Sequence, residues 1–252
     1  MIQAIVLDIE GTTCPVDFVS KTLFPFAQKH LNSALMRRED DSEIEALVQE
    51  AINEWKLDSD PISKTMLMQS QQTTPSSREV GDYLQYLIRA DRKSTALKEL
   101  QGIIWKQGYL SGEIRSPLFA DVRPQLDHWK EKGIALAVYS SGSIQAQRLL
   151  YAHSNEGDIT DRFCQWFDTR TGPKLAHQSY TIISQKLELQ TNEVLFVSDH
   201  PGECDAARQA GMKTAFCLRK GNPHQDPGSH EVAQQLSDID LNTIGQSDIS
   251  QS

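Results

Sequence analysis

The feature that most constrains this chain is a set of short apolar runs that each stop on a cluster of polar residues. Ala4–Leu7, Ile134–Val138 and Val194–Val197 are rich in aliphatic and β-branched residues, and a weaker run spans Thr214–Leu218. Runs this short and this uniformly apolar fit strands covered on both faces, as in parallel sheets. Between them lie helical patterns at Asp121–Lys132, Ser143–Tyr151, Lys174–Leu187 and Gly202–Ala210. Strand–helix alternation with short links predicts an α/β fold, a doubly wound parallel sheet with helices on both sides. Ligands of such sheets bind beyond the carboxyl ends of the strands. The polar residues that follow each run are therefore the ones to examine.

The first and second runs lie too far apart for a simple crossover. The intervening sequence reads as successive helices: Asp41–Trp55 is amphipathic, Ser76–Ile88 repeats apolar residues three and four apart, and Ser94–Tyr109 continues likewise. The polar stretch Gln69–Ser77 reads as a link between two of them. The expected organisation is an α/β core made of residues 1–15 and 120–252, with a helical cap at 16–119 inserted after the first strand. Gly221–Ser229, rich in Gly, Pro and His, and the polar residues at the end of the chain read as loose.

Charge narrows the class of partner. The 252 residues carry 25 Lys+Arg against 34 Asp+Glu, a net charge of −9. Basic clusters such as Arg37-Arg38 and Arg92-Lys93 reach only two residues, too small for a nucleic-acid or anionic-membrane face, so neither partner is expected. Cys14, Cys164, Cys204 and Cys217 are widely spaced with no C-x-x-C pair, and read as reduced thiols rather than a zinc or redox site. The opening apolar run is too short for a signal peptide or a membrane span, and no later run approaches that length. A cytoplasmic enzyme is the expectation.

Four polar clusters then follow in chain order, three of them just past a strand. Asp8-Ile9-Glu10-Gly11-Thr12-Thr13 places two carboxylates two residues apart, where both can approach one site, although D-x-E also occurs in ordinary loops. Tyr139-Ser140-Ser141-Gly142-Ser143 leads into a helix and forms either an anion cradle or a simple N-cap through Ser141 or Ser143. Thr171-Gly172-Pro173-Lys174 puts a lysine at the expected start of a helix. A cation is disfavoured there unless an anion lies close by, which a phosphate would satisfy. Ser198-Asp199-His200-Pro201-Gly202-Glu203-Cys204-Asp205 follows the third strand, where Asp199 is able to face Asp8 across adjacent strands. Carboxylates gathered this way repel unless a cation separates them, and such oxygen ligands suit magnesium. Glu203 or Asp205 then supports the metal or holds Lys174, while His200 reads as a loop residue.

Acid pair, Ser, Lys and Asp, in this order on successive sheet edges, resemble the haloacid-dehalogenase-like phosphatases. The resemblance implies that Asp8 attacks phosphorus and forms an aspartyl-phosphate, with one Mg2+ per subunit. Within that superfamily the chain resembles the enolase-phosphatase family of methionine salvage. The matching segments are Asp8–Thr13, Leu23-Phe24-Pro25, Asp91–Trp105, Phe119–Val122, Tyr139–Ser143 and Phe167-Asp168-Thr169. Glu10 is the sharp discriminator, because most of the superfamily has Asp there. Ser198 replaces a commoner glycine.

By that resemblance Asp8, Glu10 and Asp199 fall on magnesium positions, the second through its backbone carbonyl, which leaves the Glu10 side chain free for proton transfer. Ser140, Ser141 and Lys174 fall on substrate positions, with Lys174 also catalytic and Glu203 in support. The implied substrate is a small phosphorylated diketone, 2,3-diketo-5-methylthiopentyl-1-phosphate, enolised and then dephosphorylated to 1,2-dihydroxy-3-keto-5-methylthiopentene. The enolisation base stays open among Glu10, Lys174 and a cap residue. Analogy implies a monomer. Two alternatives remain: a phosphomonoesterase of the same superfamily with another small substrate, and a phospho-accepting receiver module, against which the helical insert argues.

Overall fold

The computed structural model describes residues 1–37, 40–70, 74–90 and 92–244. Arg38, Asp91 at the head of one matching segment, residues 71–73 of the Gln69–Ser77 link and the end of the chain from 245 lie outside the described residues. The chain divides into two compact units, one formed by Met1–Val19 with Arg115–Ser252 and the other by Ser20–Ile114.

After the first strand, β1 (Ala4–Leu7), the chain enters the helical unit with α1 (Phe24–Leu35), α2 (Ser42–Leu57), α3 (Pro61–Gln69), α4 (Ser77–Arg89) and α5 (Thr95–Leu110). Each of α2 to α5 starts on a side chain suited to cap it. Asp41, Asp60, Ser76 and Ser94 accept from the first free backbone N–H groups, and Ser76 with Glu79 closes a reciprocal capping box. The apolar faces pool into one core containing Leu31, Leu35, Val48, Ile52, Trp55, Leu84 and Ile104. Trp55 stacks on Tyr83 at 4.7 Å between ring centroids and donates its indole N–H to the Ser63 carbonyl at 2.9 Å. Arg92 grips the buried Asp58 carboxylate with two hydrogen bonds of 2.7 and 2.8 Å.

The other unit continues with α6 (Val122–Glu131), β2 (Ala135–Tyr139), α7 (Ile144–Ala152), β3 (Gln165–Phe167), α8 (His177–Lys186), β4 (Val194–Ser198), α9 (Pro201–Gln209), β5 (Lys213–Cys217) and β6 (Glu231–Ala233). The strands form one parallel sheet in the order β3-β2-β1-β4-β5-β6. Strands β3 and β6 escaped the sequence reading because each is a three-residue edge strand with an exposed position, so neither forms an apolar run. Rows from one sheet face, including Val6, Tyr139, Phe167, Phe196 and Phe216, pack with Tyr180 and Ile183 of α8.

One helix begins later than its pattern predicts. Lys174 does not open α8, which starts at His177. The carbonyls ahead of it are committed to a turn: Pro173 O accepts from Ala176 N–H and from the Ser179 hydroxyl, and Lys174 O accepts from the Tyr180 hydroxyl. The sheet order places the functional edge. Chain order reverses between β1 and β4, and Leu7 pairs with Val197 there, so Asp8 and Asp199 emerge side by side at the switch point where doubly wound sheets bind ligands.

Candidate active site

Asp8 leaves β1 still paired to the sheet, its N–H donating to Val197 O at 2.9 Å. The chain then folds back at once. Ile9 O accepts from the N–H groups of Thr12, Thr13 and Cys14, and Gly11 N–H donates to Cys14 O at 2.7 Å. Gly11 sits at φ +71°, and a Cβ there would lie 2.1 Å from Asp199 Oδ2. Glycine is thus required twice, by its left-handed backbone and by the carboxylate against it. Behind the turn, the buried hydroxyls of Thr13 and Tyr151 meet at 2.7 Å.

Lys174 reaches the same edge from the turn before α8. Its Nζ lies 2.7 Å from Asp8 Oδ1 and 2.6 Å from Glu203 Oε2, with 11% of the side chain exposed. Glu203 also accepts from the Ser198 hydroxyl at 2.9 Å, which gives the serine in place of the commoner glycine a definite task. Of the two acids offered by the sequence, Glu203 contacts Lys174, while Asp205 is exposed and pairs with Arg208 and His230. His200 caps α9 by position and lies against His224, ring centroids 4.5 Å apart.

The Ser140–Ser143 segment follows β2. Ser143 is the N-cap of α7, accepting from Ala146 N–H, so it answers the simpler reading of this motif. Ser140 is buried and its hydroxyl accepts from Gly142 N–H, whereas Ser141 is exposed. Gln147 Nε2 fixes the segment by donating to Gly142 O and Phe167 O, both at 2.8 Å.

The electrostatics are those of crowded acids around one cation. Burial, then the Asp8 charge, pushes the Glu10 carboxyl up to about 7. Burial, then Asp8 and Glu203, pushes Asp199 up to about 7 as well. Burial opposes the charge of Lys174, but Asp8 and Glu203 outweigh it and hold the ammonium protonated. One lysine leaves these carboxylates undercompensated, which is the environment a divalent cation relieves. Among the described residues no three His, Cys, Asp or Glu side chains gather into a closed metal cage. Magnesium does not ask for one, since it commonly takes one or two carboxylates and completes its shell with water and substrate phosphate. The donor set fits that pattern.

Two residues absent from the sequence reading bear on the same turn. Arg219, just past β5, donates from Nε to Thr12 O at 2.8 Å, and Asn222 donates from Nδ2 to Gly11 O at 2.9 Å. Both are buried, so the Gly221–Ser229 segment, expected to be loose, is anchored where it begins.

A family model described as haloacid dehalogenase-like hydrolase matches residues 2–211. The chain is 58% identical to an enolase-phosphatase E1 of Synechococcus sp. (strain WH7803), over 96% of this chain and all of that protein. It is 48% identical to an enolase-phosphatase E1 of Prochlorococcus marinus (strain MIT 9313), over 94% and 97% of the two chains. Among solved structures, the UTR4 protein of Saccharomyces cerevisiae superposes with a TM-score of 0.70 at 31% identity, covering 95% of this chain and all of that one.

Proposed function

We infer the function from an established kinship: the chain belongs to the haloacid dehalogenase-like hydrolases and, within them, to the enolase-phosphatase E1 proteins. It is a phosphatase of methionine salvage, acting on a small phosphorylated substrate. We assign it 2,3-diketo-5-methylthiopentyl-1-phosphate, converted by enolisation and dephosphorylation to 1,2-dihydroxy-3-keto-5-methylthiopentene. The observation that carries the residue assignment is the contact of Lys174 Nζ with Asp8 Oδ1, 2.7 Å, at the switch point of the sheet.

In this reading an Asp8 oxygen forms a bond to phosphorus as the bond to the ester oxygen breaks. Glu10 gives a proton to the departing oxygen, then takes one from the water that splits the aspartyl-phosphate and frees phosphate. Lys174 presents a fixed positive charge to the phosphoryl oxygens, pre-set by Asp8 and Glu203, and so costs no reorganisation as charge builds. Ser140 and Ser141 orient the phosphoryl group. Asp8 and Asp199, with the Glu10 backbone carbonyl, are the groups to hold Mg2+, which when bound neutralises charge between nucleophile and phosphate. For the enolisation we assign the proton transfer to Glu10. Asp8 and Glu203 are tied to Lys174 and Asp199 lies against Gly11, so Glu10 is the partly open carboxyl of the group. We place the enzyme in the cytoplasm as a monomer. None of its described helices is long and apolar enough to cross a membrane.

The test is to incubate the protein with the diketo phosphate ester and magnesium, following enol absorbance and phosphate release together. Both signals are expected, with EDTA stopping phosphate release. Ready hydrolysis of generic esters with this substrate untouched would leave the phosphatase and remove the substrate assignment.

A further inference from the structure

We propose that Asn222, with Arg219, is a positioning residue that sets the catalytic turn from Ile9 to Cys14. The proposal rests on the phosphatase reading above and adds residues whose contact is with the turn itself. The turn uses its N–H groups internally, three of them on Ile9 O. The carbonyls of Gly11 and Thr12 are met instead by side chains from far along the chain. Asn222 spends both amide protons on carbonyls, Gly11 O at 2.9 Å and Cys217 O at 3.1 Å, and so ties the turn to the end of β5. Arg219 spends Nε on Thr12 O and its two terminal nitrogens on Asp121, at 2.8 and 2.9 Å. Its guanidinium also covers the Phe119 ring, 4.1 Å from the centroid. Asp121 in turn accepts from Leu236 N–H at 2.8 Å.

Gly11 is where this bracing meets the chemistry. A Cβ built on it would lie 2.1 Å from Asp199 Oδ2 and 3.0 Å from Asn222 Nδ2. The amide of Asn222 and the carboxylate of Asp199 therefore both lie against the same glycine. Where Asn222 holds the Gly11 carbonyl decides how Glu10 and the Gly11 backbone sit between Asp8 and Asp199. Arg219 is braced by a buried ion pair and has an evident part in stability. Asn222 is neutral, so replacing it strands no buried charge and separates positioning from folding better than replacing Arg219.

Asn222→Asp keeps the shape but turns acceptor oxygens toward two carbonyls, and Asn222→Ala removes the donors. Supporting groups of this kind typically carry a ten- to hundredfold effect on activity or metal affinity. The expected result is a kcat lower by about that factor, a KM changed by less than about threefold, and a far-ultraviolet spectrum like that of the parent. Magnesium binding to the substrate-free protein, read by calorimetry, should weaken. Amide exchange should quicken in a peptide covering residues 9–14 and stay unchanged in one covering β2. Parental kcat with parental exchange in residues 9–14 would overturn the proposal. Exchange and calorimetry do not depend on turnover. An inactive parent enzyme would thus remove the phosphatase reading, while those two readouts still decide whether Asn222 holds the turn.

Discussion

Gly11→Ala should separate the cost of folding the catalytic turn from the cost of misplacing Asp199. The alanine meets two penalties. Its backbone must stay at φ +71°, which costs an L-residue about 1–2 kcal/mol. Its Cβ would start 2.1 Å from Asp199 Oδ2 and 2.4 Å from Asp199 Cγ, where atoms of this kind do not come within 3.0 Å. The carboxylate must therefore retreat by about 0.9 Å, the difference of those distances. A side-chain end swings away at little cost to stability, so the melting temperature should fall by only about 2–8 °C for a chain of this size. Activity answers to position instead, and a displacement near 1 Å in such a site is worth on the order of a hundredfold. Gly11→Asn sharpens the test. Asparagine tolerates the left-handed region better but carries the same Cβ, so it should recover part of the melting temperature and none of the activity. Phosphate release and thermal unfolding, measured on the parent and both variants, read the two effects. An alanine variant with more than about a third of parental kcat would refute the argument that Asp199 must stand against the glycine.

Two further outcomes follow from other parts of the molecule. Lys174→Met removes the cation between Asp8 and Glu203 and leaves buried charge uncompensated, at about 3–5 kcal/mol. Urea unfolding in EDTA should show that loss, and an unchanged midpoint would mean the lysine does not neutralise the pair. In the helical unit, Arg92 hydrogen bonds hold the Asp58 carboxyl well below the usual carboxylate range. Because the folded value is the lower one, the stabilisation is present above the ordinary Asp pKa of about 4 and fades as pH falls below it. Arg92→Met should cost about 1.5–3 kcal/mol at pH 7 and respond less to acid than the parent. Parallel stability–pH curves for the two proteins would contradict this.

The centre of the sheet was legible in the sequence and its margins were not. Strand β1 occupies the same four residues, Ala4–Leu7, that the apolar run marks, because a strand buried on both faces must be apolar throughout. At the edges that demand lapses, and Gln165–Phe167 and Glu231–Ala233 carry no such run. Helix starts were legible at four side-chain caps, Asp41, Ser76, Ser94 and Ser143, but α3, short and capped by Asp60, was not read. Lys174 was placed at a helix start because the helical pattern Lys174–Leu187 begins on it, but the hydroxyls of Ser179 and Tyr180 hold a turn there instead.

Asp8, Lys174, Glu203 and Asp199 were read from types that are hard to explain apart, and the fold brings them to one edge. Arg219 and Asn222 were passed over because Gly-Asn-Pro is an ordinary loop signal, and their partners stand about two hundred residues earlier. The same rule that found the other residues, attention to polar groups just beyond each strand, would have found these had it been applied to the fourth run.

The account stands on an Asp8 oxygen as the nucleophile at phosphorus. Parent enzyme and substrate, mixed for milliseconds, quenched in acid and digested, should yield a peptide spanning Asp8 that carries one added phosphoryl group. Asp8→Asn should yield none. Phosphate released at full rate with no such peptide at any quench time, or by the Asp8→Asn variant, would contradict the mechanism at its first step.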